Sequence, residues 1–313
     1  MKAAPQNETS SNMAKEERVT TDKIESGRRV WLQEVGPRDG LQSEPRTLTF
    51  EARAELIERL SDTGLPRIQI GSLVNPRRVP QMAATGKMWR CLRKKPGTRY
   101  SVLALNLKGL DLALAEGIPH VEIYVSASET HSLKNSGSTV TKALKEASRM
   151  ITTALENGIG VTAGVMCAFG CFYEGPVPID KVLRIVKELD SNETVEVGLA
   201  DTPGLADPEE ITRVVEQVGK LVAVDRLAVH LHDTRGLGLA NLRAALESGV
   251  RRFDTSIGGL GGCPFIPGAK GNISTEQTVD ALESMGFRTG VDLHGLDTVR
   301  AELAQLLGRT LPG

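Results

Sequence analysis

Two histidines, His230 and His232, stand two residues apart in the apolar run 226–232. Side chains at alternate positions of a β-strand project to the same face, so both imidazoles point one way. Two such imidazoles can bind one metal ion, and a carboxylate such as Asp39 can complete the site. With a carbonyl oxygen of Asn272, the set would suit Mg²⁺, Mn²⁺ or Zn²⁺. A lone pair of histidines can also be structural, so the prediction depends on Asp39.

Three further reactive residues occupy similar places in the sequence. Arg38 precedes Asp39 at the end of one predicted strand, Asp201 ends another, and Cys263 lies in the glycine-dense run 258–272. Glycines let a backbone approach a ligand closely. A cysteine in such a loop can act as an acid or base when its pKa is tuned. The simpler interpretation of Cys263 is a small buried apolar residue.

Short β-branched runs alternate with helical runs from Val30 onward. Strands alternating with helices indicate a parallel sheet, and about eight such units in one domain predict a (β/α)₈ TIM barrel of the α/β class. A doubly wound sheet of about six strands is the alternative. The predicted strands cover 30–35, 67–72, 100–105, 120–125, 160–166, 194–200, 226–232 and 252–257. The predicted helices cover 50–64, part of 78–94, 107–116, 140–157, 179–190, a segment from 208, 237–248, 274–286 and an extra C-terminal helix at 296–307.

The barrel prediction also explains where the reactive residues fall. Catalytic groups of a TIM barrel lie at the carboxyl ends of its strands and in the loops that follow, and Arg38, Asp39 and Asp201 are at such ends. The first and seventh strands are next-nearest neighbours around an eight-stranded barrel. Asp39 can therefore approach the two histidines.

The composition is that of an ordinary globular protein, with 38 Lys+Arg, 39 Asp+Glu, a net charge of -1 and 40% hydrophobic residues. This balance argues against intrinsic disorder and against a nucleic-acid-binding protein. No run approaches the roughly 20 apolar residues of a membrane helix. Residues 1–28 are polar and lack the apolar core of a secretory signal, so we interpret them as a flexible extension of one domain over 29–313.

The cysteines bear on compartment and on metal binding. Four cysteines in 313 residues do not form the disulfide framework of a small secreted protein, which favours a cytoplasmic location. Cys167 and Cys171 resemble half of a zinc site, but no second pair completes it. We therefore expect this pair to pack at the mouth of the barrel.

Seven motifs occur in a characteristic order: EVGPRDGLQ, VPQM, NLKG, the cysteine segment Cys167–Gly175, HLHDTRG, GLGGCP and GAKGN. Together they resemble the 3-hydroxy-3-methylglutaryl-CoA (HMG-CoA) lyase family from about Val30 to Thr289. The resemblance implies metal-dependent cleavage of a tertiary 3-hydroxyacyl-CoA to acetyl-CoA and a keto acid, which is acetoacetate when the substrate is HMG-CoA. It also implies Mg²⁺ or Mn²⁺ as cofactor, an acyl-CoA substrate and a homo-oligomer.

The same resemblance implies roles for individual residues. Arg38 would stabilise the thioester enolate, and Cys263 would protonate the acetyl carbanion. Asp201 would organise Arg38 or relay protons. His230 would be both catalytic and a metal ligand. The full set of implied metal ligands is Asp39, His230, His232 and Asn272.

Two positions depart from the family pattern and are candidates for substrate binding. Gln69 stands where a glutamate is expected in the second strand, and Arg235 follows the threonine of the His-x-His-Asp-Thr motif. If both face the cavity, the mouth gains positive charge, and Arg235 could grip a carboxylate. Citramalyl-CoA, cleaved to acetyl-CoA and pyruvate, or a longer branched 3-hydroxyglutaryl-CoA would then be alternative substrates. Otherwise Gln69 is a neutral replacement, and Arg235 faces solvent or a CoA phosphate.

Two further functions are alternatives at this point. A barrel that binds acyl-CoA without cleaving it is one, because an acidic position has changed, although Arg38, Asp39 and Cys263 argue against it. A synthase that forms the carbon–carbon bond is the other, and the GLGGCP loop disfavours it.

Overall fold

The computed structural model describes residues 28–190, 195–262 and 271–313. Eight parallel strands pair in sequence order, and the eighth pairs with the first, so the sheet closes into a barrel. The TIM-barrel prediction is confirmed. The strands are β1 (Trp31–Glu34), β2 (Arg67–Ser72), β3 (Arg99–Leu103), β4 (His120–Ser126), β5 (Gly160–Met166), β6 (Glu196–Asp201), β7 (Leu227–Leu231) and β8 (Arg252–Thr255).

Helices follow the strands, as the alternating pattern predicts. The C-terminal helix is present and begins at Leu293, three residues earlier than predicted. A short helix at Glu129–Ser136 was not predicted. The α-helices are α1 (Phe50–Asp62), α2 (Thr85–Cys91), α3 (Leu107–Glu116), α4 (Glu129–Ser136), α5 (Val140–Glu156), α6 (Ile179–Leu189), α7 (Pro208–Val218), α8 (Gly238–Glu247), α9 (Thr275–Ser284) and α10 (Leu293–Leu307).

Local sequence signals fix many helix ends. Thr49 caps α1, since its Oγ1 accepts a hydrogen bond from Ala52 N at 3.1 Å. Asn106 caps α3 in the same way by accepting from Gly109 N at 3.0 Å. Each cap satisfies a backbone N–H that has no partner within its helix and stabilises the helix by about 1 kcal/mol.

Alternation along the strands separates an apolar layer from a polar barrel interior. Ile68 on β2 and Val121 on β4 are fully buried on the helix-facing side, where each contributes about 2 kcal/mol of stabilisation. Their neighbours Gln69 and Glu122 are also fully buried, but they project into the barrel. The interior is therefore lined with groups that can carry charge or hydrogen bonds.

The amino ends of the strands hold an ion cluster, here called the floor cluster, formed by Arg67, Arg99, Glu196 and Arg252. Both carboxylate oxygens of Glu196 accept hydrogen bonds from Arg67 and from Arg99, at distances of 2.7 to 3.0 Å. Arg252 Nε lies 3.7 Å from Glu196 Oε1. These bonds tie β2, β3, β6 and β8 together at one end of the barrel.

Two further predictions concern membrane helices and the N-terminal extension. Among them, no helix is both long and apolar enough to cross a membrane. The predicted N-terminal extension lies almost wholly outside the described residues, so the domain boundary at residue 28 stays a prediction.

Candidate active site

A single tight turn presents Arg38 and Asp39. Gly36–Gly40 forms one π-helical turn directly after β1. The carbonyl oxygen of Val35 accepts hydrogen bonds from Arg38 N at 3.0 Å and from Asp39 N at 2.7 Å. Both side chains therefore start from one backbone turn at the carboxyl end of the barrel, where the sequence predicts catalytic groups.

The buried carboxyl group of Glu34 holds this turn in place. Its Oε1 accepts from Gly36 N at 2.7 Å and from Ile257 N at 2.9 Å, and its Oε2 accepts from Thr275 Oγ1 at 2.7 Å. Burial raises the pKa of Glu34 to about 7, although these three bonds oppose the rise. Sequence reasoning missed Glu34; an acid inside an apolar strand was the available signal.

The predicted metal ligands meet at the barrel mouth. Asp39, His230 and His232 each offer a ligand atom, and these atoms all lie within 4.8 Å of one another. His232 Nε2 is 3.6 Å from Asp39 Oδ2, and the two imidazole centroids are 5.0 Å apart. Sequence spacing thus correctly predicted that these three residues converge.

A carboxylate fixes the orientation of His230. Asp254 Oδ2 lies 3.2 Å from His230 Nδ1, and Gln33 Nε2 donates to Asp254 Oδ1 at 3.1 Å. Since a carboxylate only accepts, Nδ1 of the neutral imidazole carries the proton and Nε2 keeps its lone pair. Burial lowers the pKa of His230, but Asp254 overcomes this effect and raises it. Asp254 was missed in the sequence because it is a single acid within β8.

Asn272 lies beside the same group. Its Nδ2 donates to Asp39 Oδ2 and to the carbonyl oxygen of Leu260, each at 2.9 Å. Its Oδ1 is buried and has no hydrogen-bond partner among the described residues. Gly261 allows this approach, since φ there is +110° and an added Cβ would lie 2.6 Å from Asn272 Nδ2. Here Arg38, Asp39, His230, His232 and Asn272 are together called the mouth cluster.

The donor atoms of the mouth cluster fit a divalent cation. His232 Nδ1 and Asn272 Oδ1 are buried polar atoms without hydrogen-bond partners among the described residues. Burial would raise the pKa of Asp39, but Arg38 and the two imidazoles hold it well below its ordinary value, so Asp39 is a carboxylate. Imidazole nitrogen, carboxylate and amide oxygen together suit Mg²⁺, Mn²⁺ or Zn²⁺.

Arg38 is held from two sides. Its Nε donates to Gln69 Oε1, and its Nη1 donates to Asp39 Oδ1. Only 12% of its side chain is exposed. These bonds fix the plane of the guanidinium beside the ligand atoms, where it could meet a developing negative charge. Gln69 therefore faces the interior and touches Arg38.

Asp201 ends β6, and Arg235 lies in the loop after β7. Asp201 is buried, and its carboxylate accepts from Leu205 N at 3.2 Å and from Ala206 N at 3.1 Å. Burial raises the pKa of Asp201, against these bonds and the two imidazoles. Arg235 is exposed, and its Nη1 donates to the Leu205 carbonyl at 2.9 Å. Its binding of substrate stays a prediction.

The cysteines divide into two cases. Cys263, the predicted proton donor, lies outside the described residues. Cys167 and Cys171 are free and buried, and Cys171 Sγ donates to Ser128 Oγ at 3.0 Å. Burial raises the pKa of Cys167, which disfavours a thiolate ligand there.

Comparisons with known proteins give the chain its family. The family model described as HMGL-like matches residues 29–302. A Gallus gallus protein named mitochondrial hydroxymethylglutaryl-CoA lyase is 41% identical over 90% of this chain and 94% of its own length. A Pseudomonas aeruginosa protein named 3-hydroxy-3-isohexenylglutaryl-CoA/hydroxy-methylglutaryl-CoA lyase is 37% identical over 90% of this chain and 94% of its own.

A solved structure gives the same answer in three dimensions. An HMG-CoA lyase from Acinetobacter baumannii, in complex with coenzyme A and 3-methylmalate, superposes with a TM-score of 0.88 and 36% identity, covering 92% of this chain and 94% of that one. These relatives support the HMG-CoA interpretation rather than the citramalyl-CoA alternative. The chain therefore belongs to the HMGL-like family and, like the relatives named above, is a carbon–carbon lyase.

Proposed function

We propose that this chain cleaves HMG-CoA to acetoacetate and acetyl-CoA with the help of a divalent cation. The main support for this proposal is that Asp39, His230 and His232 converge beside Arg38 at the barrel mouth. The relatives named above act on HMG-CoA according to their names, and one is solved with coenzyme A. An acyl-CoA substrate follows from the same comparison.

Mg²⁺ or Mn²⁺ is the proposed cation, held by Asp39, His230, His232 and Asn272. A divalent cation held by these residues would polarise the tertiary hydroxyl of the substrate and lower its pKa. Asp254 supports this function by holding the His230 Nδ1 proton, so that Nε2 is available as a ligand.

The remaining steps need groups that stabilise charge and move protons. Transfer of the hydroxyl proton to solvent lets the bond between the carbinol carbon and the thioester α-carbon break, which gives a ketone and the enolate of acetyl-CoA. Arg38 is placed to stabilise that enolate. Cys263 is the proposed donor of the proton that converts the enolate to acetyl-CoA. Asp201 is proposed to keep the loop after β6 in position, since it binds two backbone N–H groups there.

The test is a product assay with the full chain, HMG-CoA and either Mg²⁺ or Mn²⁺. We expect acetoacetate and acetyl-CoA in equal amounts, no turnover with EDTA, and recovery on adding excess Mg²⁺. Citramalyl-CoA and a longer branched 3-hydroxyglutaryl-CoA serve as competing substrates, ranked by kcat/KM. No release of acetyl-CoA from any of the three would refute the proposal. Acetyl-CoA consumption with keto acids would indicate a synthase.

A cytoplasmic location and a homo-oligomer are also proposed. The cysteine content supports the first proposal, because it does not suit a small secreted protein. Cell fractionation would test the location. Light scattering on the purified full chain would test the oligomer, and a mass near 33.6 kDa would refute it.

A further inference from the structure

A group of polar side chains below Arg38 has no role in the mechanism described so far. Gln69 on β2, Ser101 on β3 and Glu122 on β4 are each fully buried in the barrel interior. Gln69 and Ser101 are partners in the strand register, and Ser101 Oγ donates to Glu122 Oε1 at 2.5 Å. Burying a carboxylate this completely costs free energy, so the presence of Glu122 calls for a physical reason.

The Gln69 amide connects Arg38 to this carboxylate. Its Oε1 accepts from Arg38 Nε, so Nε2 is directed elsewhere in the interior. Gln69 Nε2 and Glu122 Oε2 are both buried, and neither has a hydrogen-bond partner among the described residues. Burial raises the pKa of Glu122, and the Gln69 amide is close enough to oppose that rise. An unpaired donor and an unpaired acceptor thus belong to neighbouring side chains.

We propose that Glu122 is a positioning residue for Arg38 and acts through Gln69. When Gln69 Nε2 donates to Glu122 Oε2, the amide has only one orientation that also offers Oε1 to Arg38 Nε. A rotated amide would turn its N–H donors towards the guanidinium and its oxygen towards the carboxylate. Glu122 therefore fixes the guanidinium plane from below, and the inference rests on the proposed lyase function.

The same pairing gives a reason for Gln69 itself. A glutamate at this position would face Glu122 in a dry interior, where two carboxylates cannot both be charged without a large penalty. Residues 69 and 122 then form a matched pair, with the amide on β2 and the carboxylate on β4. The interior therefore keeps one carboxylate, on Glu122 instead of on residue 69. Of the two positions that suggested citramalyl-CoA on grounds of charge, only Arg235 remains.

The test exchanges the two groups. Glu122→Gln should lower kcat by about tenfold while KM for HMG-CoA stays within about threefold, because Arg38 is misoriented but substrate contacts remain. Gln69→Glu should lower kcat further. The double variant Gln69→Glu/Glu122→Gln restores one carboxylate and one amide in exchanged places, so its kcat should return to within about threefold of the wild type.

A pH profile separates positioning from a merely structural role. In Gln69→Glu the two facing carboxyls share a site with Arg38 from the π-turn, Asp254 from β8 and Tyr124 from β4. Deprotonation of the second carboxyl should then reduce kcat as the pH rises, and the double variant should lack this dependence. Glu196→Gln, a change at the floor cluster, is the control whose pH profile should match the wild type.

The outcomes are distinguishable. A wild type that releases no acetyl-CoA would refute the proposed function, and the positioning role with it. An active wild type with unchanged kcat in Glu122→Gln would refute the positioning role alone. So would a double variant that is slower than both single variants, or an effect limited to thermal stability.

Discussion

The mouth cluster and the floor cluster place buried charges at opposite ends of one barrel, but they satisfy those charges differently. At the floor, both oxygens of Glu196 are fully used by Arg67 and Arg99, and the unpaired atoms are arginine N–H donors. At the mouth, the buried atoms without hydrogen-bond partners among the described residues include an acceptor, Asn272 Oδ1, and a ring nitrogen, His232 Nδ1. Only lone pairs can bind a cation.

The carboxyl groups of Glu196 and Asp39 differ in how their negative charge is neutralised. Burial would raise the pKa of Glu196, but Arg99 and Arg67 hold it below its ordinary value. The floor is thus a closed ion cluster whose parts neutralise one another. Asp39 at the mouth is also held as a carboxylate, but it lies beside two imidazoles that offer ligand atoms for a cation. Residue types alone do not separate a structural cluster from a site; the unpaired Asn272 Oδ1 and the converging ligand atoms of Asp39, His230 and His232 do.

The largest expected effect is on turnover at the mouth. Asp39→Asn should lower kcat/KM for HMG-CoA by about a thousandfold, equivalent to about 4 kcal/mol, because a charged ligand is lost. Calorimetric titration with Mn²⁺ should show weakened binding, while the fold is retained. Unchanged Mn²⁺ affinity would mean that the cation binds elsewhere. The mouth cluster would then differ from the floor cluster in no way that matters for cation binding.

At the floor, the expected effect is on stability. Glu196→Gln leaves three guanidinium groups without a carboxylate and should lower the free energy of unfolding by about 3 kcal/mol, measured by urea denaturation. The kcat/KM of the folded variant should stay within about twofold of the wild type. A stable variant with lost turnover would reverse the roles of the two clusters.

The acid dependence of unfolding provides the control for that variant. Because the folded-state pKa of Glu196 is lowered, its contribution is present above the ordinary glutamate range and is lost as the pH falls through the folded-state value. Wild-type stability should therefore fall in acid more steeply than that of Glu196→Gln.

Cys263→Ser tests which group at the mouth donates the proton to the enolate. A serine hydroxyl is a far weaker acid than a thiol, so kcat should fall by about a hundredfold at saturating substrate. Substrate and Mn²⁺ binding should persist, because neither requires the thiol. Near wild-type turnover would show that another group protonates the enolate.

Asp254→Asn should have a smaller effect on the same cluster. The amide can donate as well as accept, so it no longer selects the His230 tautomer that leaves Nε2 free. We expect Mn²⁺ affinity to fall by about tenfold. Unchanged affinity would mean that the imidazole is oriented by strand packing alone.

Arg235→Ala should have the smallest effect. The guanidinium is exposed and bound to the Leu205 carbonyl, so KM for HMG-CoA should rise by no more than about threefold. A rise above about tenfold with unchanged kcat would support the carboxylate grip considered from the sequence.

The fold could be predicted because each strand–helix unit carries its own pattern, and β5 matches its predicted range residue for residue. The polar helix α4, at eight residues, has no long apolar stripe to reveal it. Asp39 and the two histidines could be placed because strand ends define the barrel mouth. The π-turn could not, since it depends on hydrogen bonds gathered at one carbonyl oxygen.

The supporting acids were missed for a different reason. Glu34, Glu122 and Asp254 each appear in the sequence as a single acid within a predicted strand. Nothing in strand alternation tells whether such an acid meets a backbone N–H, an amide or an imidazole. That information arises only when strands distant in sequence, such as β1 and β8, become neighbours.

The π-turn places Arg38 and Asp39 on one short stretch of backbone, and the end of β7 with the residue that follows it does the same for the two histidines. With the Asn272 segment, the entire mouth cluster comes from three short pieces of chain. Its geometry therefore depends on the positions of three backbone segments rather than on the positions of five independent residues. A designer could attempt to transplant it to another eight-stranded barrel by grafting 36–40, 230–232 and 271–274 together with Glu34, whose carboxyl joins the first piece to the loop after β8.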